Sequence, residues 1–227
     1  ALNWDQLARV KQAQRQSGTL LWSGFNRRHS EAVKRAKALL AESSGPMVAT
    51  YRVNAGSLPE SHWYKDRRQG GRLLGEVCHF IDAVSWIFGE TPEQVCAFGD
   101  GRGEALLQEN LTLALHYPDG SSASIAYSSG GSPRSPKERL EVMGRSHAIA
   151  IEDFERLSVD GRAVKISRAD KGHVANLQEF ARALRSSNAE FDMESSFAST
   201  SAALLAAEAL ISFDRSRQVD RCDEAWS

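Results

Sequence analysis

Residues 106–127, LLQENLTLALHYPDGSSASIAY, read as two strands, Leu106 to Tyr117 and Ser122 to Tyr127, turned at Pro118-Asp119-Gly120. An Asp-Gly pair supplies the positive φ that a tight hairpin needs. The same signature returns at Val159-Asp160-Gly161. Further strand-like stretches lie at Gln94 to Phe98, Arg139 to Met143, Ala148 to Ile151, Arg156 to Val159 and Val164 to Ser167. Strands that follow one another through hairpins build an antiparallel or mostly antiparallel sheet.

Outward from this block, Met47 to Asn54 reads as one more strand, given β character by Tyr51 and Val53. A long polar loop, GSLPESHWYKDRRQGG at 56–71, leads into a helix from Gly71 to Phe88 that Gly89 stops. Nearer the start, Asn3 caps a helix from Trp4 to Gln16, with Gly18 closing it. Thr19 to Asn26 reads as a short strand, and Ser30 caps a second helix whose apolar face is Ala32, Val33, Ala36, Leu39 and Leu40. Gly45-Pro46 breaks that helix, and helices from His173 to Arg185 and from Glu194 to about Phe213 follow the strands. The expected class is α+β: a large, mostly antiparallel open sheet with helices on one face, preceded by a helix–strand remnant of an α/β layer. The expected division is 1–28 for the remnant and 29–227 for the α+β domain. Ala1 opens the chain inside a helix-like stretch, which reads as the cut end of a longer protein. The bare face of such a sheet must be covered or used, so a homo-oligomer formed through it is expected.

Composition narrows the function. In 227 residues, 41% are hydrophobic and 25% charged, ordinary for a globular chain able to bury its own core. The net charge of -1, with both signs interspersed, gives no field to recruit nucleic acid or an anionic membrane. The three cysteines, Cys78, Cys96 and Cys222, form no C-x-x-C pair, which fits a reducing cytoplasm rather than a disulfide framework. No apolar run reaches membrane-spanning length, and no metal-ligand spacing or G-x-S-x-G elbow occurs.

The helix from Gly71 to Phe88 carries the chemistry. At about 100° per residue, Leu73, Val77, Phe80, Val84 and Ile87 form one stripe, widened by Leu74, Ile81 and Phe88. Arg72, Glu76, His79 and Asp82 line the opposite side, with Glu76–His79 and His79–Asp82 each three apart. This is either a solvated polar face or the wall of a cleft. Small residues at Gly75, Cys78 and Ala83, together with Trp86, favour a cleft. Histidine is the side chain best matched to proton transfer near neutral pH.

Five motifs in register resemble the C-terminal part of the glucose–fructose oxidoreductase / inositol dehydrogenase / MocA family, most closely the version fused behind a zinc-alcohol-dehydrogenase-like domain. They are GFNRR at 24–28, YRVNAG at 51–56 with His62-Trp63, GGRLLGEVCHFID at 70–82, PKERLE at 136–141 and DKGH at 170–173. The resemblance implies a two-domain oxidoreductase: a Rossmann domain binding NAD or NADP, and an α+β domain supplying the pocket for a sugar or cyclitol. It implies that His79 is the general acid/base, taking the hydroxyl proton as hydride leaves the carbon, with Glu76 as its nearest carboxylate. Residues 1–28 then correspond to the tail of the Rossmann domain, and no cofactor is expected on this chain alone.

Two departures stand out. Many relatives carry Asp where Gly75 stands. No G-x-G-x-x-G occurs either; the stretch 99–103 has the wrong spacing and no helix after it. Among other candidates, Asn26 and Arg27 follow the last Rossmann-like strand and read as cofactor-side groups. Arg52 and Asn54 are substrate ligands or plain solvent-face residues. Trp63 stacks on a sugar or pins its loop, and Lys137 reaches the pocket or is simply solvated. Arg72 and Asp82 complete the substrate set. The competing reading is a non-catalytic oligomerisation or ligand-binding module on the same fold.

Overall fold

The computed structural model describes residues 1–101, 104–167, 169–185 and 193–213; Cys222, Arg102 and Gly103 lie outside them. Helix α1 (Trp4–Ser17) starts where the Asn3 side chain accepts the Gln6 N–H, and stops at left-handed Gly18. Helix α2 (Glu31–Leu40) starts where Ser30 accepts the Val33 N–H. Both caps satisfy N–H groups that a helix cannot pair internally. The expected strand at 19–26 does not form. The chain is irregular there and enters a 3-10 turn at Asn26–His29, because no described strand lies alongside to pair with it. Leu7 packs with Phe197 and Leu204, and the Trp22 indole donates to Asn176 Oδ1 at 2.8 Å, so this opening stretch rests on the last two helices.

The sheet has eight strands: β1 (Met47–Asn54), β2 (Gln94–Gly99), β3 (Leu111–His116), β4 (Ser122–Ser128), β5 (Glu138–Gly144), β6 (His147–Glu152), β7 (Arg156–Val159) and β8 (Arg162–Val164). Their order is β2-β3-β4-β1-β5-β6-β7-β8. Only β1 and β4 run parallel, with Tyr51 opposite Ile125; every other pair is antiparallel. At the β7–β8 turn Asp160 and Gly161 take φ of 51° and 76°. The predicted strand at 164–167 is therefore displaced: β8 begins immediately after this two-residue turn. The strand predicted from Leu106 begins only at Leu111, because Ala105–Leu107 form a 3-10 turn. That turn presses on Gly71, where a Cβ would sit 1.8 Å from the Leu106 carbonyl oxygen.

One face of the sheet buries Met47, Ala49, Tyr51 and Val53 of β1 with Leu111, Leu113 and Leu115 of β3. Helices α2, α3 (Cys78–Phe88) and α5 (Met193–Phe213) cover it, while α4 (His173–Arg185) packs on the turn at Asn26–His29. The opposite face is bare, and Val48 and Met143 on it are 49% and 56% exposed. Among the described residues no helix is long and apolar enough to cross a membrane.

Candidate active site

The helix expected from Gly71 to Phe88 is not uniform. Leu73–Val77 is a π turn, and α3 proper begins at Cys78. Tyr64, from the loop before it, explains the local widening. Its hydroxyl donates to the Gly75 carbonyl at 3.0 Å, and its ring lies where a Cβ on Gly75 would be 2.2 Å from Cε1. A side chain that captures a helix carbonyl and wedges against the backbone is a recognised cause of such irregularity, and π turns gather at functional sites.

His79 projects from the first turn of α3 and is half-buried, with Phe25 edge-on at 5.3 Å between ring centroids. Burial, reinforced by the nearby Arg27 cation, pushes its pKa down to about 4, so the imidazole is neutral at physiological pH. Nδ1 is enclosed and has no hydrogen-bond partner. The ionisable groups acting on the ring are Arg27, Glu76, Glu138 and His173, which puts all four in one neighbourhood.

Two polar clusters flank that ring. In the first, Glu76 accepts from the Tyr127 hydroxyl at 2.5 Å and from Lys137 Nζ at 3.0 Å. Burial works against ionised Glu76, yet these donors hold its pKa below the ordinary value. Arg72 backs the cluster, donating to Tyr127 Oη at 2.7 Å, to the Gly56 carbonyl at 2.7 Å and to Glu109 at 3.1 Å. In the second cluster, Glu138 is 1% exposed and its two oxygens accept four hydrogen bonds. Two come from Arg27 at 2.8 Å, one from the Tyr51 hydroxyl at 2.8 Å and one from Lys171 Nζ at 2.6 Å. Burial alone would raise this carboxyl; Arg27 outweighs it and brings the pKa down to about 2.

The structure sorts the sequence candidates by position. His79, Glu76 and Lys137 come together. Asp82 does not face outward: it is 0% exposed, gripped by the Arg28 guanidinium and bonded by the Ser199 hydroxyl. Arg72 and Arg27 are likewise buried in the pairs just described, and Asn26 donates to the Lys171 carbonyl at 2.7 Å. The polar stripe of the helix is thus largely internal, because ion partners reach it from neighbouring segments. Arg52 and Asn54 stand on the bare side of β1, opposite Tyr51 and Val53. There they line a separate groove of about 500 Å³ with Phe98, Asn110 and Ser128. Trp63, 51% exposed, stacks on His62 at 5.9 Å and packs tilted against Tyr64 at 4.0 Å between ring centroids.

Sequence reasoning gave no site role to Glu138, Tyr51, Tyr127, Lys171 or Tyr64. Three of them lie inside quoted motifs, and the alternation of β1 was the available signal for an inward Tyr51. Nothing local marks Glu138 as the acceptor for Arg27, which is 111 residues away. Among the described residues no group of His, Cys, Asp and Glu is arranged to hold a metal.

Residues 34–150 match the GFO/IDH/MocA C-terminal domain. The chain belongs to this family. No curated protein matches the sequence. The GFO/IDH/MocA fold here is similar to that of the UDP-N-acetylglucosamine 3-dehydrogenase GnnA from Acidithiobacillus ferrooxidans, at 18% identity and TM-score 0.77, over 95% of this chain and 69% of that one. It is similar to the WlbA dehydrogenase from Bordetella pertussis in complex with NADH and UDP-GlcNAcA, at 16% identity and TM-score 0.74, over 93% and 67%. It is also similar to an oxidoreductase from Agrobacterium radiobacter in complex with NAD+, L-tartaric acid and magnesium, at 15% identity and TM-score 0.73, over 93% and 68%. The chain therefore spans about two thirds of the length of these structures.

Proposed function

We propose that this GFO/IDH/MocA domain is the substrate side of an NAD(P)-dependent oxidoreductase acting on a CH–OH carbon, or the matching carbonyl, of a sugar or cyclitol. The observation that carries the reading is His79: a neutral, half-buried imidazole between two organised polar clusters, on the helix that opens with a π turn. Titratable groups perturbed by burial and a specific charge partner concentrate at functional sites. The resemblance to structures that hold NAD+ or NADH supports a nicotinamide cofactor.

The described residues do not build a dinucleotide phosphate site. Strand β2 ends at Gly99, and the next regular element is a three-residue turn at Ala105–Leu107, with no helix N-terminus to receive a phosphate. In this proposal the cofactor sits on a Rossmann domain of the complete protein, of which residues 1–28 are the tail. When bound, it supplies a two-electron hydride carrier.

This chain's own residues do the rest. His79 meets the reacting oxygen and exchanges a hydrogen bond or proton with it. The apolar flank at Phe25 keeps bulk water from the ring, which strengthens every polar contact made there. Glu76 and Lys137 take up substrate hydroxyls, and Trp63 offers an indole face to a sugar ring. The bare sheet face, with Val48 and Met143 on it, joins a second copy of the chain. A screen of nucleotide sugars, hexoses and cyclitols with NAD and NADP, run on the protein carrying its Rossmann domain, tests this. Reduction or oxidation of nicotinamide with at least one sugar-like compound is expected; silence across the panel, with cofactor bound, favours a non-catalytic module instead.

A further inference from the structure

Helix α4 is apolar over a wider arc than the fold uses. On its inner side Asn176 is buried, and Phe180 packs on Trp22 at 5.5 Å between ring centroids. At about 100° per residue, Val174, Leu177, Ala181 and Leu184 form a second stripe beside that inner side, within about a quarter of the helix circumference. Leu177 is 64% exposed and Leu184 62%. Single exposed leucines are ordinary, but apolar residues aligned along one helix mark a contact surface.

Two features beside the stripe say what covers it. The first is the segment leading from α1 to the Asn26–His29 turn. It runs without turn or bend, and the backbone N–H and C=O groups of Leu20, Leu21 and Gly24 bond to no described residue. Backbone in this state is a template for a neighbouring strand. The second is an apolar hollow of about 140 Å³ lined by Leu7, Val10, Leu21, Trp22, Met193 and Phe197. Trp22 lines the hollow and also packs on α4, so the hollow, the unpaired backbone and the stripe adjoin one another. Their partner must offer a strand and an apolar surface together, as an α/β domain does. The bare sheet face lies across the sheet from α4, which packs on the helical side, so a copy of the chain docked on that face leaves all three uncovered.

We propose that α4 is the seat of the Rossmann domain: that domain pairs a strand with residues 20–24 and lays an apolar surface over the hollow and over Val174, Leu177 and Leu184. The inference rests on the oxidoreductase reading for the identity of the partner, and it adds where the two bodies meet. α4 opens with His173, whose Nε2 lies 3.4 Å from the Asn26 side chain and whose charge acts on the His79 ring. A domain held along α4 therefore stands beside His79, and the substrate pocket is bounded by both bodies.

Amide hydrogen exchange of α4 tests this in three proteins: the 227-residue chain, that chain together with the Rossmann domain proposed for it, and the same two-domain protein carrying Leu177→Lys with Leu184→Lys. Slow exchange of α4 is expected only in the second. Turnover in the variant should fall by about 10²-fold while NAD affinity holds, since a domain displaced from its seat misplaces the reactants. Because both leucines are exposed, the double variant of the chain alone should unfold at the wild-type temperature, which separates lost docking from lost folding. Equal exchange of α4 in the chain and in the two-domain protein overturns the proposal. So does a complete protein without a Rossmann domain. So does a variant whose only change is a sedimenting dimer turned into single chains, which would give the stripe to a second copy. If the variant loses its slow exchange but the wild type turns over no sugar-like compound, the docking stands and the oxidoreductase reading fails.

Discussion

Gly75 has room for nothing larger than hydrogen, because the Tyr64 ring occupies the space a side chain would need. The missing side chain at this position is therefore matched by a second residue rather than left as a hole. Gly75→Asp alone should overpack the site and cost about 1–3 kcal/mol in urea unfolding. The double variant Tyr64→Ala with Gly75→Asp should recover most of that loss. Equal destabilisation in both would show that Tyr64 is not what fills the position. Individual residues were the least legible level of the sequence. His79 and Glu76 were readable as a pair three apart on one helix. Asp82 and Arg72, on the same stripe, were not readable as buried, because their partners Arg28 and Tyr127 lie 54 and 55 residues away. Spacing along a helix reports which side chains share a face, not what covers it.

Among the elements, the joint between the Asn26–His29 turn, β5 and the segment before α4 turns on one carboxylate. Glu138 ties Arg27 and Lys171 to the sheet. Removing one partner of a buried pair strands the other, so Glu138→Ala should cost about 3–5 kcal/mol. Replacing both, as in Arg27→Met with Glu138→Leu, should recover part of that cost, since no buried guanidinium or carboxylate is left unpaired, while the Tyr51 hydroxyl still loses its acceptor. Urea denaturation of the three proteins decides this. The joint also sets an acid limit. An unfolded Glu titrates near about 4.3, whereas folded Glu138 titrates at about 2. The stability this difference supplies is complete above the unfolded value and is lost as the pH falls through the folded one. The wild type should therefore weaken between about pH 4 and 2 more steeply than Arg27→Met/Glu138→Leu; parallel curves would show that Glu138 is not the titrating group. Most elements were legible beforehand: the Asn3 and Ser30 caps, the Gly89 stop and the Asp-Gly turns all act locally. The π turn and the missing strand at 19–26 were not, because the first depends on Tyr64 from another segment and the second on a neighbour strand.

At the scale of the whole molecule, an eight-stranded sheet with helices on one side leaves the other side to be accounted for. If two copies meet there, Val48→Lys with Met143→Lys should shift sedimentation velocity profiles towards the single chain without lowering thermal stability. Unchanged sedimentation of an assembled species would place the contact elsewhere. The 227-residue chain alone should show no micromolar heat of binding with NAD or NADP, since it lacks a phosphate loop; a micromolar affinity by calorimetry would contradict the division of labour between domains. The central claim is that His79 stands at the reacting oxygen, and a single-turnover measurement on the protein together with the Rossmann domain proposed for it tests it most directly. With cofactor and substrate saturating, hydride transfer in His79→Ala should slow by about 10²-fold or more while cofactor affinity holds. Transfer at the wild-type rate would contradict the account.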